Sequence, residues 1–94
     1  MTIRWGVIGC GGIADRRTIP EGIIPAASAE LVAVQDAFEP RMSEVAEKYG
    51  VTGYATVEEL LADDSVDAIY IATPTHVHHE QTVAAAKAGK HVLC

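Results

Sequence analysis

Residues 3–14 read IRWGVIGCGGIA, a short apolar run followed at once by a cluster of glycines. The run Ile3–Ile8 is rich in β-branched and aromatic residues and predicts a first strand. The glycines end this strand, and residues 12–17 predict the start of a helix. Pro20 and Pro25 break that helix, because proline is not tolerated in a regular helix interior. The stretch therefore predicts a strand, a tight turn and a short helix.

The rest of the chain continues to alternate strands with helices. Further strands are predicted over residues 30–36, 53–55, 66–71 and 91–94, and further helices over 39–49, from 56 and over 75–88. Such alternation predicts crossover connections and a parallel sheet. The predicted fold is therefore α/β, a doubly wound parallel sheet with strand order 3-2-1-4-5. Because the sequence stops in or at the fifth strand, we expect this sheet to be incomplete.

The composition limits what the chain binds. Hydrophobic residues make up 49% of the 94 residues and charged residues 21%, which is typical of one globular domain over residues 1–94. Seven Lys and Arg against thirteen Asp and Glu give a net charge of −6, which argues against a nucleic-acid partner. No apolar run is long enough to cross a bilayer, and no secretory leader is recognisable. We therefore expect a cytoplasmic protein that binds neither nucleic acid nor a membrane.

The glycine cluster matches a known phosphate-binding pattern, G-x-G-x-x-G/A, through Gly9, Gly11 and Ala14. In this pattern Gly9 permits the tight turn, Gly11 lets the backbone approach a pyrophosphate, and Ala14 lets the helix pack close to the sheet. The phosphates then lie at the N-terminus of a helix, whose dipole favours negative charge. An ordinary strand-to-helix turn is the alternative interpretation. The predicted contact residues of this loop are Gly9, Cys10, Gly11, Gly12, Ile13 and Ala14.

Asp36 ends the second predicted strand, 25 residues after Gly11. A carboxylate at this position accepts hydrogen bonds from both hydroxyls of an adenosine ribose, so the pattern favours a dinucleotide-binding site of the Rossmann type. The same carboxylate repels a 2′-phosphate, which favours NAD over NADP as the cofactor. NADP stays open, because Arg41 could reach a 2′-phosphate, although a surface helix residue is the simpler interpretation of Arg41. A solvated carboxylate at a strand end is the alternative for Asp36.

The segment Thr73-Pro74-Thr75 follows the fourth predicted strand, which neighbours the first strand in the predicted order. Ligands of doubly wound sheets bind in the crevice where the order reverses, so this turn and the glycine loop would face one cofactor from two sides. Pro74 gives a rigid turn, and the Thr75 hydroxyl can cap the next helix. We predict that these three residues lie at the nicotinamide end.

Three histidines follow within four positions, namely His76, His78 and His79. His78 is a candidate for a hydrogen bond near the nicotinamide or for proton transfer, and it is the one weak catalytic candidate in the chain. A helix residue packed against the sheet edge is an equal alternative. His76 and His79 share a helix face, but no further Cys or carboxylate has a ligand spacing, and the two cysteines form no metal motif. We therefore predict no metal site.

With these motifs placed, the chain resembles the N-terminal domain of the Gfo/Idh/MocA oxidoreductases, the relatives of glucose-fructose oxidoreductase and inositol dehydrogenase. The resemblance covers essentially the whole chain and rests on residues 4–14, 30–36, 72–78 and 88–94. His78 matches the usual histidine of its segment in that family. The position of Thr75 is often asparagine there, so its contact is expected to differ.

The resemblance implies a Rossmann domain followed by a C-terminal α/β substrate domain, in a protein that forms a homo-oligomer when full-length. It implies hydride transfer between NAD(P) and a hydroxyl carbon of a sugar, polyol or related compound. The family continues with Glu-Lys-Pro directly after the position of Cys94, so this chain is expected to lack that lysine and the substrate domain and to be inactive alone. A non-catalytic dinucleotide-binding module or regulator, and an NAD-using glycosidase of the same family, are the alternatives.

Overall fold

Five parallel strands form one sheet that carries helices on both faces. The computed structural model describes residues 3–10, 29–73 and 75–93. In chain order the elements are β1 (Ile3–Ile8), β2 (Ala29–Gln35), α1 (Glu39–Tyr49), β3 (Thr52–Tyr54), α2 (Val57–Leu61), β4 (Ala68–Ile71), α3 (Thr75–Lys87) and β5 (His91–Leu93). The helix predicted over residues 12–17 lies outside the described residues.

The strand order is β3-β2-β1-β4-β5, which confirms the predicted order and the doubly wound fold class. The central strand β1 pairs in parallel with β2 and with β4, and Ile8 stands opposite Gln35 on one side and Ile71 on the other. The predicted fourth strand begins two residues too early. Asp67 belongs to the preceding loop, because its carboxylate is held by Arg4.

Apolar side chains fill both faces of the sheet. Successive residues of a strand point to opposite faces, so Val7 packs toward α1 and Ile8 toward α2 and α3. Both side chains are fully buried, and burial of one aliphatic side chain of this size contributes about 1.5–3 kcal/mol. Because both faces are covered, the functional groups of the domain are confined to the ends of the strands.

The helix ends follow local sequence signals. Helix α1 has Pro40 in its first turn and ends at Gly50, which adopts the left-handed conformation with φ of 64°. Helix α2 begins with a capping box, in which the Glu59 amide donates to Thr56 Oγ1 at 3.2 Å and the Thr56 amide donates to Glu59 Oε1 at 3.3 Å. These caps account for the end of α1 at Gly50 and the start of α2 after Thr56.

A salt bridge ties β1 to the start of β4 at the amino edge of the sheet. Arg4 donates from Nε to Asp67 Oδ2 and from Nη2 to Oδ1, each at 3.1 Å, and its amide donates to Oδ2 at 2.9 Å. The hydrogen bonds from Arg4 lower the pKa of Asp67 to about 2. The unfolded chain binds a proton at this carboxylate more readily than the folded chain does.

The same loop is held from two further elements. Lys90 donates from Nζ to the carbonyl oxygens of Asp63 at 2.9 Å and Val66 at 2.7 Å. The Asp63 carboxylate accepts from the Ser65 hydroxyl at 2.6 Å and from the Tyr54 hydroxyl at 2.7 Å, and these hydrogen bonds lower the pKa of Asp63. Lys90 follows the C-terminus of α3 and anchors the loop before β4. The contacts at the amino edge of the sheet therefore stabilise the fold.

The salt bridge predicts a pH dependence of stability. Because the pKa of Asp67 is depressed on folding, its contribution is present above the unfolded pKa near 3.8 and is lost as the pH falls toward 2. We expect D67N to be less stable than the parent chain at neutral pH and the difference to shrink below about pH 4. Urea unfolding of both chains from neutral pH to about pH 2.5 measures this. The matched control is D64N, an exposed carboxylate in the same loop. A D67N penalty independent of pH would contradict the assignment.

Candidate functional site

Three strand ends meet at the carboxyl edge of the sheet. Since Ile8 is in register with both Gln35 and Ile71, the residues that follow these three strands stand at one level. They border a cleft of about 310 Å³. Its lining comprises Gly9, Gln35, Asp36, Ala37, Val57, Ala72, Thr73 and Gln81. Gly9, Asp36 and Thr73, which the sequence placed in one site, therefore lie around one cleft.

Gly9 turns the chain out of β1 in a conformation that other residues rarely adopt, with φ of 77°. A Cβ at this position would lie 2.7 Å from Thr73 Cγ2 and 3.2 Å from the Thr73 amide nitrogen. The tips of β1 and β4 are therefore in direct contact, and only a hydrogen on the Gly9 Cα fits between them. This agrees with the tight turn predicted for Gly9.

Cys10 has a different position from the one expected of a cofactor contact. Its side chain is fully buried in the core on the α1 face, and its amide donates to the carbonyl oxygen of Gln35 at 2.9 Å. The Gly9 amide donates to the same carbonyl at 2.8 Å. The first two amides of the loop are therefore engaged by β2. The predicted residues Gly11, Gly12, Ile13 and Ala14 lie outside the described residues.

Gln35 is a site residue that the sequence analysis did not identify. It is 5% exposed, its Nε2 donates to the carbonyl oxygen of Ala55 at 3.1 Å, and its Oε1 lies 3.4 Å from the Gly9 amide nitrogen. Gln35 thus links the loop after β1 with the segment after β3. The one signal for it in the sequence is a polar residue at the end of an otherwise apolar strand.

Asp36 follows β2 directly and is partly exposed at the cleft. Its amide donates to the carbonyl oxygen of Tyr54 at 3.3 Å, and its Oδ1 accepts from the Phe38 amide at 3.0 Å. This local turn fixes the orientation of the carboxylate at the strand end. Arg41 lies in α1, where Nη1 donates to Glu44 Oε1 at 2.8 Å, as a surface helix residue does.

Thr73 is held by helix α3 at two atoms. Its hydroxyl donates to Gln81 Oε1, and its carbonyl oxygen is hydrogen-bonded to Nε2 of His78. His78 therefore supports the turn after β4 through its ring nitrogen. Thr75 begins α3, and Pro74 lies outside the described residues.

Within residues 3–10, 29–73 and 75–93, no group of three or more His, Cys, Asp or Glu side chains is arranged to hold a metal ion. In the same part of the chain, no helix has both the length and the apolar character that spanning a bilayer requires.

A parallel sheet of this order, with a positive-φ glycine after β1 and a carboxylate after β2 at the switch point, defines a Rossmann-type domain. The chain belongs to the oxidoreductase family whose model is described as an NAD-binding Rossmann fold and matches residues 3–94. This confirms the resemblance that the motifs indicated.

Known relatives share both the sequence and the fold. The chain is 44% identical over 92 residues to a 1,5-anhydro-D-fructose reductase of Ensifer adhaerens and 40% identical over 93 residues to a myo-inositol 2-dehydrogenase of Thermotoga maritima. These matches cover 97% and 98% of this chain but 27% of each relative. A 3-ketoreductase from Actinomadura kijaniata, solved in complex with NADP, superposes with a TM-score of 0.92 at 36% identity, over 99% of this chain and 29% of the other. The chain thus spans under a third of the length of these proteins.

Proposed function

We propose that this chain is the cofactor-binding part of an NAD-dependent oxidoreductase that acts on a sugar, a polyol or a related compound. The convergence of Gly9, Asp36 and Thr73 on one cleft carries this proposal, because each comes from a different strand and each matches a separate element of a dinucleotide site. When bound, the nicotinamide accepts or donates a hydride at a hydroxyl-bearing carbon.

The residues of the cleft fit the cofactor in shape and in charge. At Gly9 a side chain would collide with Thr73 and displace it from the cleft lining, so the absence of a side chain preserves the shape of the cleft. The Asp36 carboxylate offers acceptors to a pair of ribose hydroxyls. Because the Gly9 and Cys10 amides are used by Gln35, we assign the pyrophosphate to the following segment and give Cys10 a structural role. That segment consists of Gly11, Gly12, Ile13 and Ala14.

The segment after β4 is assigned to the nicotinamide side, through Thr73, Pro74 and Thr75. His78 is assigned a positioning role and not that of a general base, because its Nε2 is bound to the Thr73 carbonyl oxygen. The acid–base groups for the substrate are then expected from residues beyond this chain.

The choice of NAD over NADP rests on Asp36. A 2′-phosphate beside this carboxylate meets like-charge repulsion, and Arg41 is directed to Glu44. NADP is the cofactor in the structure of the 3-ketoreductase from Actinomadura kijaniata. NADPH is therefore the alternative cofactor whose binding is compared with that of NADH.

The remaining assignments concern the whole protein. The names of the two relatives, a reductase of an anhydro sugar and a dehydrogenase of inositol, support a sugar or polyol substrate. We further propose a homo-oligomer and a cytoplasmic location, where the pool of reduced nicotinamide cofactor is available.

Titration of the 94-residue chain with NADH tests the proposal. We expect a saturable change in nicotinamide fluorescence, with weaker binding of NADPH measured in parallel. The absence of any fluorescence or heat change at millimolar NADH would refute it.

A further inference from the structure

Gln81 lies on α3 and lines the cleft together with Asp36, although it belongs to none of the motifs of the sequence. It accepts a hydrogen bond at Oε1 from the Thr73 hydroxyl. In this orientation of the amide the oxygen is used, and the nitrogen carries two further N–H donors.

The other donor-bearing side chains of the cleft lining are buried or hydrogen-bonded within the protein. Gln35 donates from Nε2 to the Ala55 carbonyl oxygen, and the Thr73 hydroxyl donates to Gln81. No hydrogen bond joins Gln81 Nε2 to any other described residue. Gln81 therefore offers two side-chain N–H groups to a ligand, whereas Gln35 is 5% exposed and has one of its two N–H groups engaged.

The surroundings of Gln81 indicate what this ligand group is. The walls formed by Ala37, Val57 and Ala72 are apolar, and Asp36 lies at the same cleft. The volume of about 310 Å³ is at the lower limit for small-molecule sites, so it suits one nucleoside and not a whole dinucleotide. A flat ring with nitrogen acceptors, adjacent to a ribose, satisfies the apolar walls and the open donor together.

We propose that Gln81 donates from Nε2 to a ring nitrogen of the adenine base, so that it contacts the base directly while its Oε1 holds Thr73. This inference rests on the proposed function, since it presupposes that the ribose lies at Asp36. With the adenosine half of the cofactor in this cleft, Gln81 adds a side-chain contact that recognises the adenine base.

Binding of ADP-ribose, which has the base but no nicotinamide, measures the contribution of Gln81. We expect Q81M to weaken ADP-ribose and NADH alike by about 3- to 10-fold, the range of one neutral hydrogen bond. Q81E is the second variant, because it keeps an acceptor for the Thr73 hydroxyl and removes the N–H donors, and we expect at least the same loss. The matched control is E80Q, an exposed neighbour outside this cleft, which should bind as the parent chain does.

Side-chain amide signals in a ¹⁵N–¹H spectrum report the contact directly. The sequence contains two glutamines and no asparagine, so Gln35 and Gln81 give the only pairs of side-chain amide signals. The pair that disappears in Q81M belongs to Gln81, and the remaining pair belongs to Gln35. ADP-ribose should shift the Gln81 pair more than the Gln35 pair, and nicotinamide mononucleotide should leave the Gln81 pair in place.

The outcomes separate this inference from the proposed function. A chain that binds NADH but whose Gln81 signals do not respond to ADP-ribose, or whose Q81M variant binds ADP-ribose as tightly as the parent, overturns the base contact alone. Equal responses to ADP-ribose and nicotinamide mononucleotide mean that Gln81 acts only through Thr73, and this also overturns it. A parent chain that binds no NADH overturns the proposed function.

Discussion

Replacing Gly9 with alanine is expected to weaken NADH binding by about 100-fold or more and to lower the free energy of unfolding by about 2–4 kcal/mol. Two costs add at this position. The backbone φ of 77° disfavours any residue with a side chain, and the new Cβ would lie 2.7 Å from Thr73 Cγ2. Relief of that contact displaces Thr73, which lines the cleft where we place the cofactor. Fluorescence titration and urea unfolding of G9A measure the two effects.

Gly50 provides the control for the backbone cost. Its φ of 64° is similar, but an added Cβ there would meet nothing within 4 Å. We expect G50A to lose about 1–2 kcal/mol of stability from the left-handed backbone alone and to bind NADH as the parent chain does. If G9A bound NADH as well as G50A does, the contact between Gly9 and Thr73 would have no part in the site.

Replacing Asp36 with asparagine is expected to weaken NADH binding by about 10- to 100-fold, because hydrogen bonds to a charged acceptor contribute about 1.5–3 kcal/mol. Asparagine retains an oxygen that can accept from the Phe38 amide, so the local turn is preserved while the charge is removed. Removal of the charge also removes the repulsion of a 2′-phosphate, so NADPH binding should stay unchanged or improve. Parallel titrations with NADH and NADPH give the preference for each variant.

E47Q is the control for a general loss of negative charge, since Glu47 is exposed on α1 and lies outside the cleft. It should alter neither titration. Equal losses of NADH and NADPH affinity in D36N would show that Asp36 does not distinguish a 2′-hydroxyl from a 2′-phosphate.

Much of the fold follows from local sequence signals. β1 has the predicted bounds, Ile3–Ile8, because an apolar β-branched run ends at glycine. The ends of α1 and α2 follow from Gly50 and from the Thr56 capping box, each of which acts within four residues. The strand order follows from the right-handed crossovers together with the glycine fingerprint after β1, which is typical of the Rossmann order.

Contacts that depend on register were not predictable in the same way. The pair of Arg4 and Asp67 joins residues 63 positions apart, and the link from Gln35 to Ala55 crosses from one strand end to another. The loop that Lys90 anchors also comes from a distant part of the chain. Such partners are set by how strands align, which no local pattern records.

The residues of the candidate site also differ in whether a local sequence pattern predicts them. The residues that end strands, Gly9, Asp36 and Thr73, were predicted because parallel strands bring their carboxyl ends to one edge. Gln35 and Gln81 were missed, since a single glutamine in a strand or helix carries no pattern. The roles of Gly11 to Ala14 and of Pro74 stay predictions.

A crystal structure of the chain grown with NADH tests the central claim most directly. We expect the adenosine in the cleft at the ends of β1, β2 and β4, with both ribose hydroxyls within about 2.6–3.2 Å of the Asp36 carboxylate. A dinucleotide bound at the amino edge of the sheet, near Arg4 and Asp67, or bound without contact to Asp36, would contradict it.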